Sequence, residues 1–108
     1  MANTFKLKTK NNVGTATSDV YVVPSSTTCV VIGVTLSNTS GSGINVGLGI
    51  TRSSADDVNL MKDVPIPQGS SFEFMAGNKI VLETTDTLTA VSDVNSSVDV
   101  ALTIMEIT

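Results

Sequence analysis

The chain has 108 residues with ten acids against six bases, a net charge of −4, no histidine or tryptophan, and a single cysteine. That length suits one domain over 1–108, with enough core for a modest stability margin. One cysteine and no histidine exclude a disulfide framework, a Cys- or His-based zinc site and a histidine-activated nucleophile.

Charge is unevenly placed along the chain. Lys6, Lys8 and Lys10 give the first twelve residues +3 with no acid; residues 13–108 set Arg52, Lys62 and Lys79 against all ten acids, a net of −7. Binding nucleic acid through counterion release needs clustered Lys/Arg, and an anionic membrane asks for the same, so neither is an expected partner. No basic-then-apolar leader pattern and no apolar run of membrane-spanning length occurs, which predicts a soluble chain folded in a reducing compartment.

Apolar and polar residues alternate with period two along most of the chain, which predicts strands with one buried face. Over 4–9, Phe5 and Leu7 alternate with Lys6, Lys8 and Lys10; the lysines are expected on the outward face, guarding an edge strand or docking on an acidic neighbour. A turn at Asn11, Asn12 and Gly14 leads to a strand over 16–23, stopped by Pro24. Residues 29–52 hold the longest alternation. Val30, Ile32, Val34 and Leu36 are expected on the core face of a strand, then Ile44, Val46, Leu48 and Ile50 after a Gly/Ser turn. This pair reads as a hairpin, 29–37 with 44–52.

The opposite face of that stretch carries Cys29, Val31, Gly33, Gly47 and Gly49. It is apolar and small, and with Val23 it forms a candidate patch for another subunit. A close approach by another strand is the alternative use of the two later glycines. Further strands are expected over 58–63, over 71–75 with Phe72 and Phe74 on one face, and around Ile80 and Leu82 after a turn at 76–78. Others follow over 88–91 and over 97–107, and 79–83 with 87–92 reads as a second hairpin. The 65–70 stretch, with Pro65 and Pro67, reads as an irregular crossing with Ile66 inward. Near the end the alternation breaks, because Met105 and Ile107 are apolar around Glu106; a bulge near Ile104 or the end of burial would each explain it. Eight or so short strands with regular turns predict an all-β, single antiparallel β-sandwich, Greek-key or jelly-roll-like.

No constellation of catalytic, cofactor-binding or metal-ligating residues emerges. Asp56-Asp57 lacks the spacing of a calcium loop, and Gly41-Ser42-Gly43 lacks the lysine and helix of a phosphate loop. Asp63, Glu73, Glu83 and Asp86 would need to converge to act as an acid–base pair.

Several segments in order carry a resemblance: Val20-Tyr21-Val22-Val23-Pro24 with Ser25-Ser26-Thr27-Thr28, Leu36-Ser37-Asn38-Thr39, Ile50-Thr51-Arg52-Ser53, 65–71, Lys79-Ile80-Val81-Leu82-Glu83 with Asp86-Thr87-Leu88, and Met105-Glu106-Ile107. Together they resemble the small virion structural proteins of tailed bacteriophages, notably cyanophages. The resemblance implies a non-enzymatic, multi-copy component without cofactors, folded in the host cytoplasm before joining the virion. A capsid decoration (cement) protein or a neck or tail accessory subunit is implied, with a tail module binding host surface glycans as the alternative. Its implied partners are other virion proteins and itself, as a homo-oligomer such as a trimer. The candidate interface is Lys6, Lys8 and Lys10 with the small-residue patch above.

Overall fold

The computed structural model describes residues 2–53, 55–74 and 79–108, so the expected turn at 76–78 lies outside the described residues. Among the described residues nine strands follow one another: β1 (Asn3–Val13), β2 (Ser18–Val22), β3 (Thr28–Asn38), β4 (Ile44–Thr51), β5 (Val58–Ile66), β6 (Ser71–Phe74), β7 (Ile80–Leu82), β8 (Thr87–Ser92) and β9 (Val98–Ile107). They form two antiparallel sheets. The first runs β1-β9-β3-β6, with β7 also paired to β3, and the second runs β2-β8-β4-β5. If β6 and β7 are taken as one interrupted strand, this is the connectivity of an eight-stranded jelly roll. The expected sandwich is the observed one.

The layers close over a continuous aliphatic core that includes Val34, Leu36, Ile44, Leu48, Ile66, Leu82, Leu88, Leu102 and Ile104. Each contributes roughly 1.5–3 kcal/mol by leaving water, and with so few aromatics this aliphatic set carries the fold.

Both expected hairpins are overturned. β3 and β4 lie in different sheets, as do β7 and β8. The Gly/Ser stretch after β3 is a crossing over the end of the sandwich, and it is secured by a buried amide. Asn38 Nδ2 donates to the carbonyls of Ser42 (2.8 Å), Ile66 (3.0 Å) and Pro67 (3.2 Å), while its Oδ1 accepts from the Ser40 amide at 2.9 Å. The true hairpin is β4 with β5. β5 extends through Pro65 to Ile66 because it is an edge strand, where a missing donor can face away from the ladder. Ile66 is indeed buried.

A bulge divides β3. Its register with β9 shifts between Val31 and Gly33, so Cys29 and Val31 are buried before the shift and Val34 and Leu36 after it. Val30 and Ile32 therefore lie off the core face, against the expectation of one uninterrupted apolar face. β9 keeps its phase to the end, with Val98, Val100, Leu102, Ile104 and Glu106 all buried. The irregularity belongs to β3, and what looked like a broken alternation is a glutamate on the core face.

Candidate docking surface

Among the described residues β1 is an edge strand paired only with β9. Its facing is the reverse of that expected. Phe5 is 71% and Leu7 65% exposed on the outer face, while the lysines point along the flank of the sandwich. Lys6 Nζ lies 2.7 Å from Glu106 Oε1, and Lys8 Nζ sits over the Tyr21 ring at 5.8 Å from its centroid. Among the described residues Lys10 makes no ion pair. Lysine stems can cover apolar surface while their heads reach a charge or water, which is how the flank tolerates them.

Glu106 is the centre of this flank. It accepts from the Tyr21 hydroxyl at 2.5 Å and from Lys6, joining β9 to β2 of the opposite sheet and to β1. The bond from Lys6, then the bond from Tyr21, holds the Glu106 carboxyl below its ordinary range despite burial. Burial first and the bond to Glu106 second push the Tyr21 phenol up. Burial likewise pushes the neighbouring Cys29 thiol up to about 11.

The expected small-residue patch does not exist as a surface. Cys29, Val31 and Val23 are core residues, the first two placed there by the β3 bulge. Gly47 and Gly49 are buried in β4 between its sheet neighbours β5 and β8, and the β4–β5 register breaks at two points. A Cβ on Gly47 would lie 3.3 Å from the Met61 carbonyl oxygen, and one on Gly49 would lie 3.1 Å from that of Val58. The close approach that these glycines permit is made by the chain's own strand. Of the three patch glycines, Gly33 alone faces open space, with nothing within 4 Å of a would-be Cβ.

A different apolar surface takes the place of that patch. The strand registers align Phe5 with Met105, Met105 with Val30, and Val30 with Val81. This row crosses the outer face of the first sheet from edge to edge. Val81 is 59% exposed, and Met105 and Val30 are half-buried. Leu7 flanks it in the next row, opposite Thr103, which faces Gly33. The row and Leu7 expose on the order of 400 Å² of apolar surface, comparable to the largest patch on a typical monomer, which is often functional. None of these residues is charged. Alternation identifies which residues share a face but not which face is inward, so the outward placement of Phe5 and Leu7 was not legible.

The outer face of the second sheet holds an open trough of about 370 Å³ over Gly47 and Gly49, rimmed by Asn45, Met61, Asp63 and Asp93. At one end of the sandwich Arg52 Nε donates to Asp86 Oδ1 at 3.1 Å and its Nη2 pairs with Glu83, tying the end of β4 to the β7–β8 turn. Glu83 and Asp86 thus serve a structural clamp. Among the described residues, no three His, Cys, Asp or Glu side chains gather as a metal site, and no helix is long and apolar enough to cross a membrane.

No protein-family model matches the chain, and no curated protein does. Solved structures do match in fold. A chain from Bacillus endospore appendages, described as disulfide-linked pili, aligns at a TM-score of 0.59 with 13% identity, over 99% of this chain and 87% of that one. A chain from the acid-stable capsid of Helicobacter pylori bacteriophage KHP30 aligns at 0.60 with 10% identity, over 100% and 94%. At such identities the likeness is one of fold.

Proposed function

We propose that this chain is a non-enzymatic, multi-copy structural subunit of a tailed-bacteriophage virion, serving as a capsid decoration protein or a neck or tail accessory. The apolar row Phe5–Met105–Val30–Val81 carries the reading, because a surface of that size and neutrality is stabilised when another protein covers it. The two fold neighbours support it in kind: one comes from a phage capsid and the other from a pilus, both built of many protein copies. Docking runs through this row rather than through the lysines, since Lys6 is engaged with Glu106 and Lys8 with Tyr21. A glycan-binding role draws less support, because Tyr21 is buried and tied to Glu106, leaving no tyrosine or tryptophan to stack a sugar ring.

The test is localisation. Antibodies raised against the chain should label purified virions by immunogold at a regular position on head, neck or tail, with many copies per particle by quantitative mass spectrometry. Particles that lack the protein would overturn the reading. Val81→Ser combined with Met105→Ser should then reduce occupancy severalfold without unfolding the chain.

A further inference from the structure

The sandwich has four sheet edges, and three carry a device that discourages pairing with another strand. β5 has two register breaks, Pro65, and Asp63 in the left-handed region at φ 55°. β2 is five residues long and bulged, with Pro24 close behind. The edge beside β3 is divided between the four-residue β6 and the three-residue β7. β1 differs. It is eleven residues long, and although its register shifts after Lys10 and Asn12 is left-handed at φ 55°, its pairing with β9 runs unbroken from Asn3 to Lys10. Lysines are a common guard of such an edge, but here Lys6 and Lys8 are drawn in to Glu106 and Tyr21.

The hydrogen-bond phase shows what this edge offers. Ala2 and Thr108 exchange both backbone bonds at 3.0 Å, so the pairs Thr4–Glu106, Lys6–Ile104 and Lys8–Leu102 are the bonded ones in the same ladder. The N–H and C=O groups of Asn3, Phe5 and Leu7 therefore point away from β9, and these are the positions whose side chains face outward.

We infer that β1 pairs antiparallel with β1 of a second copy about a two-fold axis at Phe5, fusing two sheets into one. Charge excludes the registers centred beyond Phe5, and the Phe5–Phe5 contact favours this one over a shift towards Thr4. With Phe5 opposite Phe5, Lys6 faces Thr4 and Lys8 faces Ala2 of the other copy. Sliding the strands towards Leu7 sets Lys6 against Lys6 or against Lys8, and like charges directly opposite are destabilising. The chosen register forms about six backbone hydrogen bonds and an aromatic pair, and it joins the two apolar rows end to end at Phe5. A strand pair of this length is a small interface, so it associates weakly alone and gains from neighbours in an assembly. The inference stands on the edge geometry and not on the virion reading. A dimer that no particle contains would leave it intact.

Sedimentation of the full chain from roughly 10 to 500 μM tests it, with a monomer–dimer equilibrium expected in that range. Phe5→Pro removes an N–H that points away from β9, so the ladder within the monomer survives while the dimer is lost. Phe5→Ser, which keeps that donor, retains measurable dimer. A monomer throughout, a trimer, or a Phe5→Pro chain that still dimerises would overturn the proposal. Hydrogen exchange on the unaltered chain decides the matter if the proline variant does not fold. The amides of Phe5 and Leu7 should gain protection as concentration rises, and free exchange at every concentration would refute the pairing.

Discussion

Replacing Glu106 probes the joint between the two sheets. In Glu106→Leu the Tyr21 hydroxyl, buried with its ring, loses its acceptor, and Lys6 loses its partner. The two losses are unequal. A hydrogen bond to a charged group contributes about 1.5–3 kcal/mol, with the cost of an orphaned buried donor included in such measurements. The Lys6 side chain is 42% exposed, so water replaces much of what it loses and its share is at most about 1 kcal/mol. Glu106→Leu should therefore cost about 2–4 kcal/mol, lowering the melting temperature by roughly 10–20 °C for a domain of this size. Adding Tyr21→Phe removes the orphaned hydroxyl, so the double variant should recover about 1–2 kcal/mol of that loss, although Tyr21→Phe alone is destabilising. Urea denaturation of the four chains at pH 7 measures the cycle. Strictly additive losses would refute the reasoning. The pH dependence has a fixed sign. Because the folded Glu106 carboxyl sits below its unfolded value, the unfolded chain binds more protons between the two. This stabilisation is complete above the ordinary glutamate range and is lost as pH falls through the folded value, a slope Glu106→Leu should flatten.

Four other substitutions or reactions have definite outcomes. Gly49→Ala should cost about 1–3 kcal/mol in chemical denaturation, because its Cβ would meet the Val58 carbonyl oxygen at 3.1 Å, whereas Gly33→Ala should shift stability by under about 0.5 kcal/mol. Equal effects would contradict the placement of β5. Cys29, buried and with its thiol pushed up to about 11, should resist a thiol reagent at pH 8 until the chain unfolds, and rapid labelling of the native protein would show that the β3 bulge is misplaced. Asn38→Ala should destabilise by about 2–4 kcal/mol, since the carbonyls of Ser42, Ile66 and Pro67 lose one shared donor; an unchanged melting temperature would mean the crossing is held by something else.

The candidate surface was only partly legible beforehand. Alternation places Lys6, Lys8 and Lys10 on one face of an edge strand, but it does not show that this face turns towards Glu106 and Tyr21. Lysine opposite a buried glutamate behaves differently from lysine opposite water, and Glu106 lies a hundred residues further along the chain. Sequence spacing has no access to that pairing. Cys29 and Val31 looked like the back of a strand because period two was carried straight through Ile32, where one extra residue reverses every facing before it.

Local pattern determined what local physics governs: an all-β sandwich, the approximate positions of most strands, the turns at Gly, Pro and Asn, and the want of a histidine-dependent chemistry. Period-two alternation is a property of neighbouring residues, so it survives without knowledge of the fold. Tertiary structure alone decided which sheet each strand joins, since β3 and β4 alternate equally well as a hairpin or as opposite layers. It also decided that β5 and β8 close against Gly47 and Gly49, that Glu106 faces the core, and that Phe5 and Leu7 face water. Each of those outcomes depends on which distant strand lies alongside, and the free energy that chooses it comes from contacts between residues far apart in the chain.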